Sequence, residues 1–416
     1  MRTLIVPDLL IDGTGSEPSR GVGVLVENER IIAVDRIGNL TADDVALQHM
    51  PGTTLLPGLI DSHLHLELSP TPDHESGIRQ YHADKAAGRL TLRALHHAQL
   101  ALSAGVTTVR DAGSSFEILA VRDLIASGVV GPRLLVSGPP LTTTAGHFYW
   151  MRGGRADTAE AVRIRTRAHI ERGVDSVKVM SSGGQMTHGS NPRAPQYTVE
   201  ELAVFVAEAH RLGRRTIAHA LSEEAVRRCV VAGVDSIDHC LWLRPDGDPR
   251  YDPSLGRSLA EAKVSVGMTG ASLMRRKATG ELGEEGLEEL RVELAENRAM
   301  FEDGVVMNVV SDAGARYTEF DRFDLSIRVM VEGLGVSVHQ ALVAATKTAA
   351  WAVGLHDQIG TIEPGKLADL VVLDGNPLDD LAHLRRVRQV IKEGKVVVDQ
   401  GRMAGTGRLS LPYQWW

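Results

Sequence analysis

The chain has 416 residues, of which 24% are charged and 43% hydrophobic, and these proportions are ordinary for a globular protein in water. Its net charge of −8 comes from interspersed acids and bases, so nothing favours a nucleic-acid or membrane partner. No apolar run reaches transmembrane length, and 2 cysteines do not make a disulfide framework. The opening segment is too short for a signal peptide, and we expect a cytoplasmic protein.

The two ends of the chain are rich in short alternating apolar runs, which predict β-strands separated by turns. The runs lie at 3–6, 23–26 and 30–34, and then at 360–362, 369–373, 387–391 and 395–398. Because neither series alone buries much surface, we expect both ends to pair in one small β-sandwich. The predicted division is residues 1–56 and 358–416 in the sandwich, with residues 57–357 forming the domain between them.

The central segment alternates between β-rich runs and helical stretches, a pattern typical of βα units. The predicted strands are 59–65, 106–111, 133–136, 176–180, 216–219, 236–239, 264–267 and 307–312. Several intervening helices begin with a capping signature, such as Thr198 followed by Glu201. Strands and helices in this order predict an α/β fold built on a closed parallel (β/α)8 barrel, the TIM barrel. No glycine-rich dinucleotide fingerprint follows the first of these strands.

Polar side chains stand at the carboxyl ends of the predicted strands, where barrel enzymes place their reactive groups. His63 and His65 occupy alternate positions of one strand, so their imidazoles share a face, about 6–7 Å apart along the backbone. The other strand ends carry Asp111, Lys178, His219, His239 and Asp312. A single histidine there is more often a core residue, but so many corresponding positions predict one shared site.

Lys178 lies between two valines that would face the outer helices, so its amine would point into the barrel. An isolated buried ammonium is costly, and its pKa should fall. Three interpretations remain open: a structural ion pair, a Schiff base with the carbonyl of a substrate, and a carbamate formed with carbon dioxide. The nearby histidines favour the carbamate, an N6-carboxylated lysine that bridges two metal ions, because a Schiff-base lyase needs no metal cluster.

The remaining polar residues are suitable ligands for divalent metal ions. We expect His63, His65 and Asp312 to bind one ion, and His219 and His239 to bind a second, with zinc the simplest choice. Such an ion lowers the pKa of bound water to about 7 and supplies hydroxide at neutral pH. Asp312 would then take the proton and pass it to the leaving group.

This set of residues resembles the amidohydrolase superfamily of metal-dependent barrel hydrolases, over nearly the whole chain. Segment 360–370 is similar to a phrase common in that superfamily, and segments 177–184 and 311–314 resemble the branch of Xaa-Pro dipeptidases, arginine dipeptidases and ochratoxinase. The resemblance implies two metals bridged by a carboxylated lysine and hydrolysis of a peptide-like or N-acyl amide. The neighbouring imidazolonepropionases imply an alternative, a single-metal hydrolase of cyclic amides or lactones, or a deaminase.

The loops leave the small-molecule substrate open. Leu221 stands where the branch often has a further histidine, which puts the substrate class in doubt. His147 resembles a substrate-contacting histidine of the branch, and we assign it a catalytic role beside Asp312. We expect His74, His82, His96 and His97 at the surface, and the roles of Asp111, His188, Arg316 and Tyr317 stay open. The identity of the metal and the choice between monomer and homo-oligomer also stay open.

Overall fold

The structure is a computed structural model that describes residues 2–40, 44–86 and 88–404. Residues 1, 41–43, 87 and 405–416 lie outside the described part, and with them the end of the predicted C-terminal segment. The strands are β1 (Arg2–Leu10), β2 (Val22–Glu27), β3 (Arg30–Arg36), β4 (Val45–Pro57), β5 (Leu59–Leu64), β6 (Val106–Asp111), β7 (Arg133–Val136), β8 (Ser176–Met180), β9 (Arg215–Ser222), β10 (Ser236–Leu243), β11 (Ser265–Met268), β12 (Met307–Val309), β13 (Leu370–Asp374), β14 (Val387–Lys392), β15 (Lys395–Asp399) and β16 (Arg402–Met403).

The α-helices lie mainly between the central strands. They are α1 (Ile37–Leu40), α2 (His74–Ala86), α3 (Leu90–Ser103), α4 (Ile118–Ala126), α5 (Ala159–Glu171), α6 (Val199–Arg211), α7 (Glu223–Ala232), α8 (Pro253–Glu261), α9 (Ala271–Ala278), α10 (Glu284–Glu302), α11 (Phe323–Arg328), α12 (Val338–Val343) and α13 (Ala349–Ala352). Short π-helical turns at Val329–Gly333 and Ala344–Thr348 follow α11 and α12, and a 3₁₀ turn covers Leu381–Arg385. None of the helices described is both long and apolar enough to cross a membrane.

Two parallel sheets form the centre of the fold, which is mixed α/β as predicted. Strands β5, β6 and β7 pair in that order, and β8 to β12 pair in chain order. Single parallel bridges join the two sheets at both edges: Leu141 pairs with Val179, and Leu64 pairs with Ala313. The predicted central strands agree with these to within a few residues, except that β12 ends at Val309 and β10 continues to Leu243.

The strands from both ends of the chain form one mixed sheet, in the order β16-β15-β14-β13-β4-β1-β2-β3. Strand β4 joins the two ends, because it pairs in parallel with β1 and antiparallel with β13. The expected pairing of the ends is therefore present, but a second layer, as in a sandwich, is not confirmed. The predicted strand at 360–362 is wrong: Gly360 has a φ of 92°, a left-handed conformation that breaks an extended run.

The main apolar core lies between the parallel strands and the surrounding helices. On β8 it includes Val177 and Val179, which pack in one cluster with Leu202 and Phe205 of α6. Side chains alternate along a strand, so Lys178 lies on the opposite face of β8 from these valines. The predicted direction of the lysine, away from the helices, follows from this packing.

Candidate metal centre

A cavity of about 1120 Å³ opens at the carboxyl ends of the parallel strands. Its floor contains every residue that the sequence analysis assigned to metal binding. These residues are His63, His65, Lys178, His219, His239 and Asp312. All except Asp312 are buried, whereas the Asp312 side chain is 24% exposed and reaches into the cavity. The structure therefore brings residues from distant parts of the sequence together at one place.

The imidazole rings form a continuous row across this floor. The ring centroids of His65 and His63 are 5.1 Å apart, and those of His63 and His239 are also 5.1 Å apart. The row continues from His239 to His219 and from His219 to His147, with 4.6 Å between centroids at each step. His147 thus adjoins the predicted ligands without being one of them.

At one end of the row, three electron-pair donors face a common point. His65 Nδ1 lies 2.9 Å from the Gly113 carbonyl oxygen, which can only accept, so this nitrogen carries a proton. His63 Nδ1 lies 2.8 Å from the carboxylate of Asp238, which favours a proton on this nitrogen over one on Nε2. The two Nε2 atoms are 3.2 Å apart, and Asp312 Oδ1 lies 3.3 Å from that of His65 and 3.5 Å from that of His63. A cation between them would satisfy all three.

The pKa values of His65 and Asp312 indicate that the point between them favours positive charge, whereas burial lowers the pKa of His63. Burial acts to lower the pKa of His65, but the Asp312 carboxylate outweighs it, and the pKa is raised above the usual value. Burial likewise acts to raise the pKa of Asp312, but the hydrogen bond from His65 and the nearby imidazoles lower it. A proton and a metal ion therefore compete for the same place. His63, His65 and Asp312 offer ligand atoms within 4.8 Å of one another, a spacing that fits one ion.

The other end of the row is formed by His219 and His239. Burial lowers the pKa of His239 to about 3 and holds the pKa of His219 well below its usual value, so both rings are neutral at pH 7. His219 Nε2 lies 3.1 Å from the Gly183 carbonyl oxygen and donates to it, which leaves Nδ1 with a free lone pair. Neutral imidazoles with one free lone pair are the form that binds zinc and similar ions.

Two of the candidate ligands have a backbone conformation that is rare for residues other than glycine. The φ of His239 is 79° and that of Asp312 is 57°, both in the left-handed region. Such conformations cost energy and are concentrated at functional sites. At His239 the unusual conformation continues into Cys240, whose φ is 50°. The regular alternation of side chains on β10 therefore ends at this point.

Asp238 is the residue at this centre that the sequence analysis missed. Its carboxylate is fully buried and contacts both Lys178 Nζ and His63 Nδ1. On a regular strand, Asp238 and His239 would face opposite sides. Because the sequence predicts that His239 faces into the barrel, the same rule turns Asp238 away from it. The left-handed backbone at His239 allows both side chains to reach the centre. The ion pair left open for Lys178 is thus present in this structure, where burial lowers the pKa of the lysine and Asp238 opposes that shift.

Asp111 acts on His65 indirectly, through the loop that contains Gly113. Its carboxylate accepts hydrogen bonds from the backbone nitrogens of Leu66, at 2.8 Å, and Gly113, at 3.1 Å, and from the Ser114 hydroxyl at 2.7 Å. These bonds fix the loop whose Gly113 carbonyl accepts from His65. Asp111 therefore holds the loop that orients a candidate ligand.

His147 is held by a hydroxyl that determines which of its nitrogens carries the proton. Thr187 Oγ1 accepts from the Phe148 backbone nitrogen, at 3.0 Å, and from Trp150 Nε1, at 3.2 Å. Because both of its lone pairs are used, the Thr187 hydroxyl donates its proton to His147 Nδ1, 3.1 Å away. Burial keeps the pKa of His147 well below its usual value. The neutral ring therefore carries its proton on Nε2.

The other residues left open by the sequence lie in different surroundings. Arg316 lines the cavity and donates to the Pro72 carbonyl at 2.8 Å, while the Tyr317 ring lies beside the Arg316 guanidinium. His188 is exposed. The surface expectation is wrong for His97, which is buried against Phe320 and bonds the Leu66 carbonyl. His74, half-buried, lines the cavity.

The outer wall of the cavity comes partly from helices α9 and α10, which the sequence analysis did not assign to the site. Leu273 and Arg276 of α9 and Glu289, Val292 and Glu293 of α10 contribute to it. Burial, together with Glu289, raises the pKa of Glu293 to about 7. No motif marks these helices, and their place at the cavity depends on tertiary packing.

Comparison with known proteins places this centre in a family. The profile described as "Amidohydrolase family" matches residues 54–397. The chain belongs to the amidohydrolase family. It is 28% identical to ochratoxinase of Aspergillus niger, over 96% of this chain and 87% of that protein. It is 24% identical to imidazolonepropionase of Streptococcus sanguinis strain SK36, over 91% of each chain.

The solved structures agree with this assignment. A Xaa-Pro dipeptidase crystallised with methionine in its active site is 26% identical and has a TM-score of 0.82, covering 95% of this chain and 99% of that one. Crystalline A. niger ochratoxinase is also 26% identical, with a TM-score of 0.81 and coverage of 96% of each chain. The resemblance identified from the sequence is confirmed. The chain is a hydrolase that acts on carbon–nitrogen bonds.

A first prediction concerns the loop behind His65. A Cβ atom at Gly113 would lie 2.9 Å from Pro140 Cγ and 3.1 Å from His65 Nδ1, so Gly113→Ala should displace the imidazole. Since residues that orient a metal-binding histidine are worth about 10–100-fold in metal affinity, we expect Zn²⁺ affinity to fall by about that factor. The measurement is competition with a chromogenic chelator. Gly38→Ala, where a Cβ would meet nothing within 4 Å, is the control; equal affinity in both variants would contradict the prediction.

Proposed function

We propose that this chain is a binuclear metal-dependent amidohydrolase that cleaves a peptide-like or N-acyl amide bond in a small molecule. The observation that carries the proposal is the convergence of electron-pair donors at the carboxyl ends of the parallel strands. We further propose that these strands form one closed barrel over residues 57–357, supported by the parallel bridges at both edges of the two sheets. Residues 1–56 and 358–416 would form the accompanying β-domain.

The donor set suits two divalent ions, and we propose zinc. His63, His65 and Asp312 would hold one ion, and His219 with His239 the other. Lys178 lines the same cavity as both groups, and its amine contacts the Asp238 carboxylate, which also contacts His63. An N6-carboxylated Lys178 would offer one oxygen to each ion. Bound ions would supply Lewis-acid polarisation of the amide carbonyl and a hydroxide nucleophile at neutral pH.

Asp312 has the position and the charge of a general base. Its side chain reaches into the cavity while its neighbours are buried, and its lowered pKa keeps it ionised at neutral pH. An ionised carboxylate at this place can accept the proton of the nucleophile and return it to the leaving nitrogen. Asp312 therefore has two roles in this proposal, ligand and proton carrier.

His147 presents an N–H group to the substrate. With its proton on Nε2, the neutral ring can donate a hydrogen bond to an amide carbonyl and to the oxyanion that develops during attack. Donors of this kind contribute about 2.7–4 kcal/mol to transition-state stabilisation in other hydrolases. His147 adjoins His219, so the carbonyl would lie close to the second ion.

The cavity wall indicates the kind of leaving group. Its lining includes the apolar side chains of Leu221, Leu241, Leu243 and Met180, and the cationic side chain of Arg316. An amino acid with an apolar side chain and a free carboxylate would match both features. The methionine in the active site of the similar Xaa-Pro dipeptidase supports this class of product.

One alternative keeps the same cavity but uses a single ion. The likeness to imidazolonepropionase supports a hydrolase of cyclic amides or lactones, or a deaminase, with one metal. The ion would then bind at only one end of the histidine row. A Schiff-base lyase using Lys178 has less support, since the chain belongs to a hydrolase family and Asp238 holds the lysine in an ion pair.

The metal content distinguishes the two hydrolases. We expect about two equivalents of Zn²⁺ per chain after metal-replete purification, loss of activity on chelation, and recovery when Zn²⁺ is added. Plasma emission spectroscopy gives the count, and a library of dipeptides and N-acyl amino acids, with cyclic amides and lactones, gives the substrate class. One equivalent together with turnover of cyclic amides would favour the alternative.

Asp312→Asn tests the proton-transfer role. Asparagine keeps an oxygen for the ion but cannot accept a proton, so kcat should fall by at least about 10²-fold, a typical contribution of a general base. Metal content should stay within about a factor of two of the wild type. Asp248→Asn, an exposed carboxylate at the cavity rim, is the control and should retain activity. Normal turnover by a metal-loaded Asp312→Asn would rule out the assigned role.

Thr187 variants test the donor role of His147. Thr187→Val keeps the shape but removes the hydroxyl that donates to His147 Nδ1, so the ring can adopt the other tautomer. We expect kcat to fall about tenfold or more with a smaller change in KM, since the lost interaction strengthens in the transition state. Thr187→Ser retains the hydroxyl and should restore kcat. A change in KM alone, or no rescue by serine, would contradict this role.

A further inference from the structure

We infer that Asp238 is the positioning residue of this centre, and that its single carboxylate orients both His63 and Lys178 for metal binding. The inference rests on the proposed metal-dependent function. It goes beyond that function because it assigns a role to a residue that is neither a proposed ligand nor in contact with substrate.

Asp238 contacts two of the residues that are proposed to bind metal. Its Oδ2 atom is shared between His63 Nδ1, 2.8 Å away, and Lys178 Nζ, and the side chains of all three residues are almost completely buried. Nδ1 is the ring nitrogen that faces the carboxylate, and a proton on it leaves the lone pair of the His63 ring on Nε2. That atom is the one that faces His65 and Asp312. Asp238 thus fixes both the tautomer and the direction of His63.

The same contact serves Lys178 in both of its chemical forms. An unmodified amine donates to Asp238, and an N6-carboxylated lysine keeps one hydrogen on Nζ, which can donate in the same direction. The new carboxylate group would occupy another bond of Nζ and would be available to bind metal ions. Asp238 therefore contacts both Lys178 and His63, and both are proposed to bind the first ion.

The charge around Asp238 is balanced by the elements packed against it. His63 on β5 and Lys178 on β8 face it, and the buried Arg110 guanidinium on β6 adds a further positive charge. Arg110 is itself held by the carbonyls of Ser62, at 2.8 Å, and Ala352, at 3.2 Å. The Asp238 carboxylate is thus paired with a cation away from water, and a charge-assisted contact is stronger in such surroundings.

An independent observation shows that the neighbouring strand is shaped around this carboxylate. Gly267 of β11 pairs directly with Asp238 of β10. A Cβ atom at position 267 would lie 2.4 Å from Asp238 Oδ1 and 3.2 Å from Val310 Cγ1. Only glycine leaves room for the carboxylate in its present place. Gly267→Ala would accordingly move Asp238 while leaving every proposed ligand unchanged in sequence.

The experiment compares Asp238→Asn with the wild type, using Zn²⁺, Co²⁺ and ¹³C-bicarbonate as probes. Asparagine keeps the shape, but its single oxygen is a weaker acceptor for two donors, and its amide nitrogen opposes them. We expect Zn²⁺ affinity to fall about 10–100-fold. We also expect an altered visible spectrum of the Co²⁺ form and a weaker ¹³C carbamate signal from Lys178. Asp369→Asn is the matched control, because it removes a buried carboxylate paired with Arg133 at 2.5 Å, outside the cavity.

Gly267→Ala provides the second variant, and it should change the same three signals in the same direction. If Asp238→Asn does not fold, Gly267→Ala still tests whether the position of Asp238 affects metal binding. Wild-type affinity and spectra in both folded variants would overturn the inference while leaving the proposed function intact. Equal losses in Asp369→Asn would overturn it too, by showing a general effect of stability. A wild-type protein that binds neither metal would refute the proposed function itself, and this inference with it.

Discussion

The constraint on which the site depends is that electron-pair donors of His63, His65 and Asp312 face one point. Each is fixed from behind by a different part of the fold: His63 by Asp238, and His65 by the Gly113 carbonyl. Asp312 is fixed by its left-handed backbone, with a φ of 57°. These contacts order the three donors as part of the fold. Metal binding should therefore stabilise the folded state by mass action.

One buried carboxylate links the segment of His63 to the segment of Asp312. Asp61 accepts from the backbone nitrogens of His63, at 3.2 Å, and Ser311, at 3.1 Å, and from the Ser311 hydroxyl. It therefore ties β5 to the segment that carries Asp312. Burial raises the pKa of Asp61 to about 7, and such a group persists only where its hydrogen bonds are satisfied. Asp61 thus adds side-chain hydrogen bonds at the edge where the backbone nitrogen of Asp312 also donates to the His63 carbonyl, at 2.9 Å.

Regular strands made most of the fold and the site predictable from the sequence. Alternation placed His63 and His65 on one face and turned Lys178 away from the valines that pack on α6. The same rule failed at Asp238, since the left-handed backbone of His239 cannot be read from residue types. It also did not predict that His97 would be buried, with a hydrogen bond to the Leu66 carbonyl. Local rules succeed where the backbone is regular and fail where tertiary contacts set its conformation.

The same division explains why the chemistry of this site is easier to infer than its substrate. The floor of the cavity is built from strand ends, whose residues are fixed in number and direction by sheet geometry. Its wall comes from loops and from α9 and α10, which carry Arg276, Val292 and Glu293 without a motif. Leu221 is the exception, because it lies two residues beyond His219 on β9 and is therefore fixed as firmly as the ligand. An apolar side chain at that place makes the wall beside the second group of histidines hydrophobic, whatever the outer helices bind.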